Sequence, residues 1–188
     1  MTYSNNLPVH GEQTISYPYG VVDSGYSCGW HTGVDIVPYG STENNPLLYS
    51  VVNGTVVATN NNPNNSLGCY VLIYDGTYYW RYCHLVLNSI QVNVNDIVTK
   101  NTIIGRMGAT GNVTGRHLHL ECSTSSTWQC DTFVNPCSVL GFPNVRYEIL
   151  VWQASPVPPA TIKRKKFKWV LYARKLRDRR WQLILLII

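Results

Sequence analysis

Charge is scarce in this chain. Only 13% of its 188 residues are Asp, Glu, Lys or Arg, while 45% are hydrophobic. That balance excludes a disordered polyelectrolyte and fits one folded domain with a real core. No apolar run reaches the roughly 20 residues of a membrane-spanning helix, and the C-terminal "WQLILLII" falls far short. Before residue 160 there is no long helical periodicity and no internal repeat. The six cysteines (28, 69, 83, 122, 130 and 137) form no C-x-x-C, which weakens a zinc-ribbon reading. The start, "MTYSNNLPVHGEQ", has neither a basic stretch nor an apolar one, so no signal peptide is expected. For a chain made without one, reduced buried thiols are the expected state, and the sequence assigns no cysteine pairing.

What is present points to strands. Thirteen Tyr, fourteen Gly and ten Pro accompany many Val, Ile and Thr, a composition of strands and turns. "LLYSVVNGTVVAT" (47–59) reads as two short strands around Asn53-Gly54. "GCYVLIYD" and "TYYWRYCHL" read as a hairpin about Asp75-Gly76. "RHLHLEC" alternates as a strand, and "TFVNPCSVLG" has room for one helical turn. The expected fold is a mainly antiparallel β-sheet or sandwich-like domain with short loops.

The small charge content is unevenly spread. Residues 1–160 hold five basic residues against nine acidic ones, whereas 161–188 hold ten basic residues and only Asp178. The expected organisation is an N-terminal segment (1–20), a domain over 10–145, a Pro-rich linker (146–162) containing "SPVPP", and a basic, apolar tail (163–188). In the tail, Trp169, Tyr172, Ala173, Leu176, Leu183, Ile184 and Ile187 fall near helical spacing. That spacing suggests an interfacial helix that binds an anionic membrane or wall polymer. A solvated basic end competes equally with it, and nucleic-acid binding is disfavoured by the acidic remainder.

Five histidines carry the chemistry: His10, His31, His84, His117 and His119. In "RHLHLE", His117 and His119 lie two apart on a strand and share a face, as two ligands of one metal would. "HTGVDI" holds His31 and Asp35 four apart. Gly33, Val34, Ile36 and Pro38 argue for strand or loop there, not helix. Two His and one carboxylate meet the three-ligand count of a catalytic zinc site. His84, in "YCHL", gains weight only from this company. His10 is expected to have no catalytic role.

"HTGVDI", "YCHL" and "GATGNVTGRHLHLE" resemble, in order, the three signature segments of the lysostaphin-like (LytM-type) zinc endopeptidases, which cleave peptides of bacterial peptidoglycan. The resemblance covers roughly residues 10 to 145, and "GTVV", "YVLIYDG" and "FVNP" extend it. It implies one zinc ion on His31, Asp35 and His119, with His84 and His117 as the catalytic pair that orients water, moves its proton or stabilises the oxyanion. Arg116 stands where that family often has Pro, and Leu120 where an aromatic is frequent. There is no H-E-x-x-H, so histidine must do the acid–base work. Glu121 is expected to face away from His119 and to be no ligand.

Trp30, Asn112, Thr114 and Arg116 are candidate substrate contacts. Tyr78, Tyr79, Trp80 and Tyr82 either line a groove or pack in the core. The implied activity is hydrolysis of peptidoglycan stem peptides or cross-bridges at the cell wall. A chain without a signal peptide would arrive there by lysis, through a pore, or on a virion as a phage-type lysin. The main alternative is a catalytically silent regulator or scaffold of the same fold, and a further one is a β-sandwich binding module with an incidental metal. The sequence leaves the oligomeric state open.

Overall fold

A computed structural model describes residues 1–154, 169–175 and 181–187. The first unit, Met1–Ser155, is built on one large sheet. Its strands are β1 (Thr2–Ser4), β2 (Glu12–Tyr17), β3 (Gly33–Pro38), β5 (Gly54–Asn60), β6 (Cys69–Tyr74), β7 (Tyr79–Leu85), β8 (Ile97–Val98), β10 (Leu118–Ser123), β11 (Phe133–Val134) and β12 (Ile149–Trp152). They run in the order β1-β12-β2-β3-β10-β7-β6-β5-β8, with β11 also on β10. Among the described residues only the β1–β12 pair is parallel. A second small sheet pairs β4 (Leu47–Tyr49) with β9 (Ile103–Arg106), and one short helix, α1, spans Pro136–Leu140.

The period-2 pattern of the central strands decides which way the sheet faces. Val34 and Ile36 of β3, Leu118 and Leu120 of β10, Trp80 and Tyr82 of β7, and Val71 and Ile73 of β6 are all buried on the core side. Leu48, Val51, Ile104 and Met107 close the cluster from the small sheet and its connections. Trp80 and Tyr82 are therefore core residues, and the Tyr82 hydroxyl accepts a hydrogen bond from the Val51 amide at 2.9 Å.

The hairpin about Asp75-Gly76 forms as the sequence predicts. The Asp75 carboxylate accepts from the amides of Thr77 and Tyr78, and from the Trp80 indole at 2.7 Å. Asn53-Gly54 is not a hairpin. β4 pairs with β9, and β5 pairs with β6 and β8. Gly54 serves close packing instead, since a Cβ there would collide with the Tyr74 carbonyl.

Three further expectations are corrected. Ile149–Trp152, read as linker, is β12 and pairs with both β1 and β2. Cys28 and Cys130 form a disulfide across 102 residues, whereas Cys69, Cys83, Cys122 and Cys137 are free and buried. In the second unit, β13 (Trp169–Lys175) and β14 (Trp181–Ile187) pair antiparallel, so these residues form a hairpin and not the interfacial helix. "SPVPP" lies outside the described residues.

Candidate metal centre

The register of β3 against β10 sets Asp35 directly opposite His119. His31 sits just before β3, its Nδ1–H donating to the Pro18 carbonyl at 2.8 Å, which turns Nε2 toward Asp35. His31 Nε2, His119 Nδ1 and Asp35 Oδ1 stand 2.8 to 3.1 Å from one another. Three atoms bonded to one tetrahedral zinc at about 2.0–2.1 Å would be roughly 3.3 Å apart, so the donor set and its spacing fit such an ion. Among the described residues this is the one group of His, Cys, Asp and Glu side chains close enough to share a metal. Gly33 explains the glycine inside the motif. A Cβ there would meet the His119 ring at 2.8 Å and the Leu120 carbonyl at 2.6 Å.

Glu121 does not face away. Residues two apart on a strand share a face, and Glu121 Oε1 accepts from His119 Nε2 at 3.2 Å. That bond leaves His119 Nδ1 as the nitrogen for a metal. Thr32 donates to the same oxygen at 2.7 Å, and Arg81 Nε donates to Oε2 at 2.8 Å. The sequence signal was available: the 117-119-121 spacing puts all three on one side of β10.

His84 reaches the same side by a different device. Between Cys69–Leu85 and Val71–Tyr82 the β6–β7 register slips by one residue, a β-bulge in β7. His84 takes the left-handed conformation, φ 64°. The bulge breaks the alternation, so Tyr82 and Leu85 stay in the core while His84 turns to the metal-centre side. Its ring centroid lies 4.9 Å from that of His117 and 5.9 Å from that of His119. Its Nδ1–H donates to the Thr110 carbonyl at 2.8 Å. Similarly, His117 Nδ1–H donates to the Gly115 carbonyl at 2.9 Å, and its Nε2 is 3.7 Å from Asp35 Oδ1. In both imidazoles the backbone carbonyl occupies Nδ1, which leaves Nε2 as the nitrogen for the site.

The electrostatics separate these groups. Burial, then the charge of His119, push the His84 imidazole down to about 4, against the opposing Thr110 hydrogen bond. Burial alone would also lower His119, but its hydrogen bonds to Asp35 and Glu121 outweigh that and hold it up at about 10. Burial alone would raise the two carboxyls. The hydrogen bonds from His119 and His31 instead hold Asp35 well below the usual carboxylate range, and those from His119, with Arg81 and Thr32, bring Glu121 to about 2.

The remaining candidates are more peripheral. Trp30 is half-buried, edge-on to Tyr19 and Phe133. Asn112 and Thr114 are exposed on the loop before β10, and Arg116 reaches Asn44 at 3.5 Å. His10 stands apart, stacked between Tyr49 and Trp152 at 3.6 and 3.9 Å. Tyr17 and Tyr26, unremarked in the sequence, each place a ring 5.0 Å from that of His31.

Comparison with known proteins finds peptidases. Over 93 residues the chain is 41% identical to the peptidoglycan DD-endopeptidase ShyA of Vibrio cholerae serotype O1 (strain ATCC 39315 / El Tor Inaba N16961). The match covers 48% of this chain but only 20% of that protein, so the likeness spans about a fifth of the relative's length. The catalytic domain of the antimicrobial peptidase lysostaphin from Staphylococcus simulans superposes with a TM-score of 0.57 at 27% identity, covering 70% of this chain and 92% of that one. A zinc containing peptidase from Vibrio cholerae gives a TM-score of 0.54 at 27% identity, covering 70% and 38%. The pattern of Peptidase family M23 matches residues 29–132, more than half of the chain, and the chain belongs to that family.

Proposed function

We propose that this chain is a zinc-dependent endopeptidase that hydrolyses peptide bonds in the stems or cross-bridges of bacterial peptidoglycan and acts at the cell wall. The observation that carries the reading is the 2.8–3.1 Å triangle of His31 Nε2, His119 Nδ1 and Asp35 Oδ1, with two further histidines turned to the same side. Support for the substrate comes from the likeness to a peptidoglycan DD-endopeptidase.

In this reading those three atoms hold one zinc ion. When bound, the ion supplies a Lewis acid that polarises the scissile carbonyl and acidifies a water. The rest belongs to the protein. The Pro18 carbonyl and the Glu121 carboxylate fix the ring orientations of His31 and His119. His84 Nε2 and His117 Nε2, each freed by a carbonyl at Nδ1, are positioned to take the proton of the attacking water and return it to the leaving amine. Burial keeps His84 neutral at working pH and so able to accept.

The basic tail, with ten Lys and Arg over 161–188 against one Asp, is proposed to hold the enzyme near anionic membrane or wall polymer.

The test is clearing of purified peptidoglycan by the zinc-loaded chain, with a chelator control and mass spectrometry of the released fragments. The expected result is chelator-sensitive clearing with new amine termini at peptide bonds. No release from several peptidoglycan chemistries, with zinc content verified, would return the chain to the silent regulator of the same fold.

A further inference from the structure

On the metal-centre face of the sheet, beyond Glu121, lies a groove of about 620 Å³. Strands β5 to β7 supply Ala58, Tyr70, Leu72, Tyr79 and Arg81, and the loop after β10 supplies Trp128. Among the described residues, Arg81 is the one charged residue in this lining. Its guanidinium is fixed from two directions. Nε donates to Glu121 Oε2 at 2.8 Å, and the Trp128 ring covers the guanidinium carbon at 3.6 Å. Glu121 engages only Nε of Arg81: its Oε2 takes that one bond, and its Oε1 accepts from Thr32 and His119. The two terminal nitrogens of Arg81 therefore keep their donors for the groove, in a side chain only 12% exposed. A planar guanidinium, stacked on one face and anchored at Nε, presents the edge that suits a carboxylate.

The groove's position sets what carries that carboxylate. Arg81 opposes Glu121, and Cys83, two residues along β7, opposes His119. Two residues along the strand and one strand spacing across put Arg81 roughly 8 Å from His119, the reach of two to three residues of extended peptide. We propose that the groove is a specificity subsite for a free carboxylate on the substrate peptide, two or three residues from the scissile bond, and that Arg81 reads it beneath Trp128. This rests on the peptidase reading above and adds to it a preference between charged and amidated substrates.

The test compares two stem pentapeptides on the zinc-loaded full chain. One carries a free α-carboxylate on its D-glutamyl residue and the other an α-carboxamide. Loss of one charge-assisted hydrogen bond corresponds to roughly 10-fold or more, so kcat/KM should favour the acid by at least about tenfold, chiefly through KM. In Arg81→Gln, which keeps a donor for Glu121, the ratio should fall to about one. Damage to His119 through Glu121 would slow both peptides alike and leave the ratio standing. If Arg81→Gln does not fold, Trp128→Leu tests the same point, and the ratio should drop while Arg81 stays paired. Equal kcat/KM for the two peptides on the unaltered chain, or an unchanged ratio in the variants, overturns the proposal. Calorimetric binding of both peptides separates the two readings. Preference for the acid without cleavage rejects the peptidase and keeps the subsite, whereas equal affinity rejects the subsite whatever the turnover.

Discussion

At the scale of single residues, the candidate centre depends on where protons sit. His84 combines a left-handed backbone with a buried, neutral ring. Asn tolerates that backbone region far better than most residues, so His84→Asn isolates the ring's chemistry from the bulge that carries it. The variant is expected to fold and to keep its metal while kcat falls about 10²–10⁴-fold, the usual share of a general acid–base group. Metal analysis alongside steady-state rates checks both halves, and a kcat within threefold of the parent would remove His84 from the machinery. His119 gives a pH prediction. Held at about 10, it is an imidazolium at neutral pH in the metal-free chain, with protons on both nitrogens. A metal on Nδ1 must expel one. Zinc binding is thus expected to release about one proton, and apparent affinity to fall by up to tenfold for each pH unit below about 10. The same raised value means that the ion pair's contribution to metal-free stability is complete below the ordinary histidine range and is lost as pH rises through about 10. Calorimetry in two buffers of different ionisation heat counts the proton, and a count of zero at neutral pH contradicts the raised value of His119 in the metal-free chain.

Elements decide which of these residues meet. Period-2 alternation made β10 and the Asp75-Gly76 hairpin legible in the sequence, and the family motifs named every histidine that the fold gathers at the centre. What the sequence hid was non-local. The β7 bulge that turns His84 exists only through its slipped register with β6. Asn53-Gly54 carries a strong local turn signal, yet its flanking strands find partners distant in sequence. The misreading of Glu121 was different in kind: spacing alone places it with His119. Because Glu121 orients that ring while pairing with Arg81, Glu121→Gln should weaken zinc affinity about 10–100-fold with little change in the fold. A competition titration against a chromogenic chelator measures it, and unchanged affinity would show that the ring is held by packing alone. The Cys28–Cys130 bond joins the loop before His31 to the loop after β10 across 102 residues. Cys28→Ser with Cys130→Ser should cost about 2–5 kcal/mol. The denaturant midpoint should fall equally in the parent chain under reductant, and a midpoint that does not move would mean the pair is open in solution.

For the whole molecule, charge and fold divide at the same place. Residues 1–160 carry nine acids against five bases, and 161–188 carry ten bases against one acid. The first unit ends at Ser155 and the second begins at Pro156. The β13–β14 pairing replaces the helix that the apolar spacing suggested, because every residue of Trp169–Lys175 has a cross-strand partner in Trp181–Ile187. The anchoring idea does not need the helix. Each Lys or Arg near an anionic bilayer contributes on the order of 1 kcal/mol, and the effect is screened within a Debye length. The full chain should therefore co-sediment with vesicles rich in anionic lipid at low salt, release as salt approaches 0.5 M, and ignore neutral vesicles. A chain ending at residue 160 should stay in the supernatant throughout, since its own net charge is negative. Equal sedimentation of both chains would assign the binding to the first unit and reject the tail as an anchor. Salt-resistant sedimentation of the full chain alone would keep the tail but transfer the binding from its charge to its apolar strands.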